Sequence, residues 1–229
     1  MEESEPDPDT DADPDTDADL DADAELDALL DALQLKDERR TGWQLRGVDD
    51  PESVAGHSWG VAYLCLALAD RFRADLPDLD LDRALRLAVV HDVAEAETGD
   101  VATRADSTVD TADVPDAEEK EALEREAMAD LAGPLPDHLR DAWEEYEARE
   151  TPEAILVKEL DLVEMCLQAL FYERRDRYEP SEGEPAAFQE YEALDEFFAT
   201  AEPRLRTPTG KALVARIRDR YEAARDTDG

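Results

Sequence analysis

Between residues 24 and 224, apolar positions recur three and four residues apart, and no segment sustains the period-two alternation of a half-buried strand. Leu26, Leu29, Leu30 and Leu33 begin the pattern and predict a short amphipathic helix over about 24–34. Asp50-Pro51 pairs a capping side chain with a proline suited to a first helical position, which predicts a helix from 51 to about 72. Pro77 and an Asp-rich turn separate it from a second helix over 81–97, with Gly99 just past its end. Further helices are expected at about 116–131, 137–149, 152–178, 185–199 and 208–224, and the polar segment 98–115 reads as a loop. The fold class is all-α.

Composition changes this picture first at the amino end. Residues 1–23 carry twelve acids and no base in an Asp-Ala-Thr-Pro tract, read as a disordered acidic tail ahead of one domain over 24–229. The whole chain has 63 acidic and 24 basic residues, a formal net charge of −39, so binding of DNA or RNA backbones by a basic face is disfavoured. Only Lys36, Lys120, Lys158 and Lys211 are lysines. An acid-rich, lysine-poor surface fits a protein working in concentrated salt, where screening shortens repulsion, and points to a halophilic cytoplasm. No apolar run is long enough to span a bilayer, and residues 1–25 lack the basic start and apolar middle of a signal peptide. Cys65 and Cys166 lie in apolar helical patterns and read as small core residues.

Candidate chemistry rests on three histidines. His91-Asp92 directly follows the apolar run Leu87, Ala88, Val89, Val90, and burying such a pair is costly unless something engages it. Glu95 lies four residues after His91 and three after Asp92, on their face. Asp161 stands in a helix apolar on most faces, so its carboxylate needs a cation: Lys158 three residues before it, or a metal. His57 enters a helix whose next turns are Val61, Ala62, Tyr63, Leu64 and Cys65, and reads as a metal ligand or a hydrogen-bonded core histidine. His138 follows Pro136-Asp137 among charges and reads as a solvated surface residue. Two imidazoles and two carboxylates would suit one divalent Mn, Co, Fe, Ni or Zn ion better than calcium.

Several segments carry a family resemblance. They are Thr41-Gly42-Trp43-Gln44-Leu45-Arg46, Pro51-Glu52-Ser53-Val54-Ala55-Gly56-His57-Ser58, the stretch from Leu87 through His91-Asp92 to Glu95, Thr98-Gly99-Asp100-Val101, Trp143-Glu144-Glu145-Tyr146-Glu147 and Lys158-Glu159-Leu160-Asp161. Over about residues 33–224 the chain resembles the HD-domain 5'-deoxynucleotidases, metal-dependent phosphohydrolases built as helical bundles around one metal ion. The resemblance implies that His57, His91, Asp92 and Asp161 are the metal ligands. It also implies that Glu95 works on the attacking water and that Asp100 contacts the sugar. Trp43 and Arg46 would receive base and phosphate, with Arg40 a second candidate for the phosphate. Family members are commonly dimers, so a homodimer is expected. One departure is visible: Gly56 stands where the family usually has Asp or Glu, and a local contact that tunes affinity or substrate range would be missing.

The expected reaction is hydrolysis of a deoxynucleoside 5'-monophosphate to deoxynucleoside and phosphate. Other members of the superfamily hydrolyse nucleoside triphosphates, cyclic nucleotides or alarmones, which leaves a different nucleotide substrate as the alternative. A non-catalytic metal- and nucleotide-binding protein is the third reading, under which Glu95→Ala would change no turnover.

Overall fold

The structure, a computed structural model, describes residues 14–101, 117–178 and 191–226. Ten α-helices order the described chain: α1 (Pro14–Ala32), α2 (Thr41–Leu45), α3 (Val54–Phe72), α4 (Leu81–Val90), α5 (Glu95–Thr98), α6 (Ala117–Ala132), α7 (His138–Ala148), α8 (Pro152–Glu173), α9 (Asp195–Ala201) and α10 (Pro208–Arg225). Among the described residues there is no strand, only the isolated bridges Arg39–Ser53 and Val48–Tyr178.

Local chemistry explains where the long helices begin. The side chains of Ser53, Asp80, Thr151 and Thr207 accept backbone N–H bonds from Gly56, Arg83, Ala154 and Gly210, capping α3, α4, α8 and α10. Pro152 and Pro208 follow their caps, where the missing N–H costs nothing. Helix α8 is the axis of the core, with Ala154, Leu156, Val157, Leu160, Val163, Cys166 and Ala169 almost wholly buried. Helices α3, α4, α7 and α10 pack around it. A functional side chain on α8 is therefore held by the least deformable part of the molecule.

Several boundaries differ from the sequence expectations. Helix α1 starts at Pro14 rather than near 24, and residues 1–13 of the acidic tract lie outside the described residues. Helix α3 starts at Val54, not Pro51: Asp50 takes a positive φ of 45°, and Glu52 O accepts the Arg40 N–H, which keeps 51–52 extended. Helix α8 ends at Glu173 because Asp176 turns with φ 50° and the following strand-like residue Tyr178 bridges to Val48. The expected loop 98–115 falls largely outside the described residues, though α5 holds Thr98; of the expected helix 185–199, positions 185–190 lie outside them, 191–194 are not helical, and α9 begins at Asp195. The five-residue α2 was too short to show a period.

The expected single helix over 81–97 is broken. After Val90 the chain tightens into i→i−3 bonds: Val93 N to Val90 O, Glu95 N to Asp92 O, and Ala96 N to Val93 O, each 3.1 Å. His91 and Asp92 sit at this break, and Gly99, with φ 72°, ends α5 in a conformation that favours glycine.

Candidate metal centre

Three elements bring the four candidate ligands together. His57 comes from the first turn of α3, His91 and Asp92 from the break after α4, and Asp161 from the middle of α8. His57 Nε2 lies 3.2 Å from Asp161 Oδ1 and 3.7 Å from Asp92 Oδ2, while His91 Nε2 lies 3.2 Å from Asp92 Oδ2. The two imidazole centroids are 5.4 Å apart. Both Nε2 atoms are fully buried with no hydrogen-bond partner. An orphaned buried ring nitrogen is costly, and two of them turned toward shared carboxylates are what a divalent ion would satisfy. His57, His91 and Asp92 offer ligand atoms within 4.8 Å of one another, a set compatible with a metal ion.

The opposite sides of the rings are fixed. His91 Nδ1 lies 2.9 Å from the Ala88 carbonyl, and its ring stands edge-on to Tyr146 at 5.2 Å. His57 Nδ1 lies 2.6 Å from Glu164 Oε2. Asp161 Oδ2 accepts a 2.6 Å bond from Lys158 Nζ, so the lysine takes one oxygen and leaves the other facing His57. Lysine and metal thus need not compete for that carboxylate.

A cavity of about 110 Å³ opens over the cluster, enough for an ion with its waters or for one phosphate group, given roughly 30 Å³ per water. Arg40, Glu95, Asp100, Lys120 and Lys158 line it, with Trp43 and Phe197 on another wall. Burial first, then the charges of Asp92 and Asp100, push the Glu95 carboxyl well above the usual carboxylate range; its Oε2 is buried and unpaired, and Lys120 Nζ stands 3.8 Å from Oε1. Burial works against the Asp92 charge, but His91 and Arg40 outweigh it and hold this carboxyl below its ordinary range. Burial and the Glu164 charge raise the Glu52 carboxyl to about 7.

The substrate-side candidates separate. Arg40 Nη1 lies 3.1 Å from Asp92 Oδ2 and 3.5 Å from Asp100 Oδ1, inside the cavity. Arg46 is not among the lining residues: it bonds Glu196 Oε2 at 2.9 Å and the Tyr191 carbonyl at 3.2 Å, tying α2 to α9. Arg46 thus stands behind the cavity wall, paired with the lining residue Glu196, while Arg40 faces the cavity directly. Trp43 lines the cavity, but Phe197 stacks on it at 3.7 Å and its indole N–H donates to Glu52, so it is a wall and not an open platform. Asp100 accepts the Thr41 N–H at 2.6 Å, which fixes the start of α2 beside the site.

Sequence reasoning missed Glu52, Glu164, Lys120 and Thr200, all of which line the cavity. Glu164 carried the same signal as Asp161, an acid in an apolar helix. Two of the chain's four lysines, Lys120 and Lys158, border the cavity, a bias that lysine scarcity could have flagged.

Gly56 is exposed at the third position of α3, its N–H bonded to the Ser53 hydroxyl. An added Cβ would meet nothing closer than Ser53 Oγ at 3.5 Å, so a carboxylate fits there and completes a capping box. Gly56→Glu is expected to stabilise the protein by about 1 kcal/mol, from helix propensity and the helix dipole, without changing turnover. Thermal unfolding beside a kinetic assay checks both halves.

A profile of the HD domain matches residues 32–206. The 5'-deoxynucleotidase HDDC2 of Danio rerio is 36% identical over 190 residues, covering 81% of this chain and 82% of that protein. Its Homo sapiens counterpart is 40% identical over 162 residues, covering 69% and 70%. Among solved structures, the PH0347 protein of Pyrococcus horikoshii superposes with a TM-score of 0.63 at 29% identity, over 86% of this chain and 98% of that one. The matched span contains α2 through α9 and every residue of the His-Asp cluster, and the chain belongs to the HD domain family.

Proposed function

We propose that this protein is a metal-dependent phosphohydrolase that cleaves deoxynucleoside 5'-monophosphates to deoxynucleoside and phosphate. The observation that carries the reading is the pair of orphaned Nε2 atoms facing Asp92 and Asp161 beneath a cavity with Arg40 and Glu95 in its wall. The name of the relatives, 5'-deoxynucleotidase, supplies the substrate class.

His57, His91, Asp92 and Asp161 would hold one divalent transition ion, with Mn, Co, Fe, Ni and Zn all suited to two nitrogens and two carboxylates. Such an ion, when bound, supplies Lewis-acid charge and a water acidic enough to attack near neutral pH. Glu95, whose buried Oε2 has no partner and whose pKa burial raises, would serve as the base toward the attacking water. Arg40 offsets charge growing on the phosphoryl oxygens and is kept in place by Asp92 and Asp100. Asp100 uses its remaining lone pairs for a sugar hydroxyl, since a carboxylate accepts about four bonds. Lys120, beside Glu95, balances the local excess of carboxylates.

The test is phosphate release from a panel of ribo- and deoxyribonucleoside mono- and triphosphates, in high salt, with Mn²⁺, Co²⁺, Mg²⁺ or chelator. Orthophosphate from deoxyribonucleoside monophosphates, abolished by chelator, is expected. Pyrophosphate or tripolyphosphate from triphosphates alone would replace this reading.

The setting of the enzyme is read the same way. Cys65 and Cys166 are buried and unpaired, as in a reducing cytoplasm, and among the described residues no helix is long and apolar enough to cross a membrane. The net charge of −39 supports a halophilic protein: raising salt from about 0.1 M to 1 M shortens the screening length from about 10 Å to 3 Å. The thermal midpoint is therefore expected to climb over that range; a flat or falling midpoint would remove the halophilic assignment.

A homodimer is supported by one face. Residues 54–69 of α3 contain no Asp, Glu, Lys or Arg, yet Trp59, Tyr63 and Leu66 are 70%, 56% and 60% exposed, with the two rings stacked at 5.5 Å. Two copies this acidic would meet most easily where neither carries charge. Light scattering in molar salt is expected to give the dimer mass, and Trp59→Glu the monomer mass.

A further inference from the structure

Glu164 stands one turn after Asp161 on α8, buried, with Oε2 2.6 Å from His57 Nδ1. The other nitrogen of that ring is the orphaned Nε2, 3.2 Å from Asp161 Oδ1. A carboxylate on Nδ1 favours the tautomer with its hydrogen there, which leaves the Nε2 lone pair pointing into the cluster. His91 is held differently, by the Ala88 carbonyl, so only one of the two imidazoles leans on a full negative charge.

The approach of Glu164 depends on Gly60, one turn after His57 on α3. A Cβ at Gly60 would lie 2.8 Å from Glu164 Oε1 and 3.0 Å from its Cγ, closer than packed atoms tolerate. The two helices have left a gap at the one place where this carboxylate must pass. Glu52, held by the Trp43 indole N–H, also has an oxygen within 4.8 Å of the Glu164 and His57 ligand atoms.

We propose that Glu164 is a positioning residue for the metal ligand His57: it fixes the ring's tautomer and raises its basicity as a ligand, and Gly60 is the clearance that lets it reach. This rests on the reading of His57 as a metal ligand. A second ion held by Glu52, His57 Nδ1 and Glu164 is the competing account, since their ligand atoms also lie within 4.8 Å of one another. The 2.6 Å separation of Nδ1 and Oε2 favours the hydrogen bond, because two ligands of one ion, each about 2.1 Å from it, sit roughly 3 Å or more apart.

Calorimetric titration of the metal-stripped full chain with Zn²⁺ tests this in the wild type, Glu164→Gln, Gly60→Ala and the double variant. One ion per chain is expected, with affinity lowered about 10–100-fold by Glu164→Gln. Gly60→Ala, which leaves the carboxylate chemically intact, is expected to weaken binding too, and to add nothing further in the Glu164→Gln background. Because the chain has three histidines, the His57 Nδ1 proton of the zinc-loaded protein can be assigned by NMR. It is expected far downfield in the wild type and shifted upfield in Glu164→Gln, a signature that loosened packing alone does not give. Wild-type affinity and an unmoved proton in Glu164→Gln would overturn the proposal. So would two ions per wild-type chain with one lost in that variant, which would make Glu164 a ligand. A wild type that takes up no ion would instead sink the reading of His57 as a ligand, and this inference with it.

Discussion

Asp92→Asn is expected to abolish metal uptake and to lower phosphate release by at least about 10³-fold, roughly 4 kcal/mol of transition-state stabilisation. The substitution keeps the shape of the side chain and removes its charge. That charge is shared among three neighbours: His91 Nε2 at 3.2 Å, His57 Nε2 at 3.7 Å and Arg40 Nη1 at 3.1 Å. Losing it would remove a proposed ligand and free the guanidinium proposed to face the phosphate, so binding and chemistry are expected to fail together. Metal content after dialysis, beside initial rates in excess Mn²⁺, checks both. An unchanged circular dichroism spectrum is also expected, because the core axis runs through α8, which is not altered.

Glu95→Gln is expected to separate what Asp92→Asn joins. Metal affinity should stay within a few-fold of wild type, while kcat falls by about 10²–10⁴, the usual contribution of a positioned general base. The pH profile gives the sharper signature. A base must be ionised to act, so activity falls as pH drops through its pKa. Burial, the largest cause, raises that pKa, which moves the fall toward neutral pH. Glutamine cannot titrate, so the acid limb of kcat/KM should flatten. Retained turnover with an unchanged acid limb would assign the proton transfer to another group, whereas a wild type that itself releases no phosphate would favour the non-catalytic reading.

Much of this was legible in the sequence for a physical reason. A carboxylate or imidazole inside an apolar helical period has to be satisfied, so Asp161, His57 and the His91-Asp92 pair stood out against Leu, Val and Ala. Glu164 should have stood out too; it lies in the same helix as Asp161 and is buried by the same pattern. The break between α4 and α5 was not legible, because Val93 and Ala94 continue the apolar period while the backbone tightens for reasons of hydrogen bonding alone. Nor could spacing decide between Arg40 and Arg46. They flank the five-residue α2, and only its placement turns Arg40 into the cavity and Arg46 toward Glu196. The start of α3 was misplaced because Asp50-Pro51 and Ser53 are both valid helix openings, and a bridge between Arg39 and Ser53 decides for the second.

The most direct test of the central idea is anomalous diffraction from a zinc-loaded crystal. One strong peak is expected, about 2.0–2.3 Å from Nε2 of His57 and His91 and from a carboxylate oxygen of Asp92 and Asp161, with Lys158 still on the other oxygen of Asp161. No peak among those four side chains, or a peak on the Nδ1 side of His57 between Glu52 and Glu164, would contradict it.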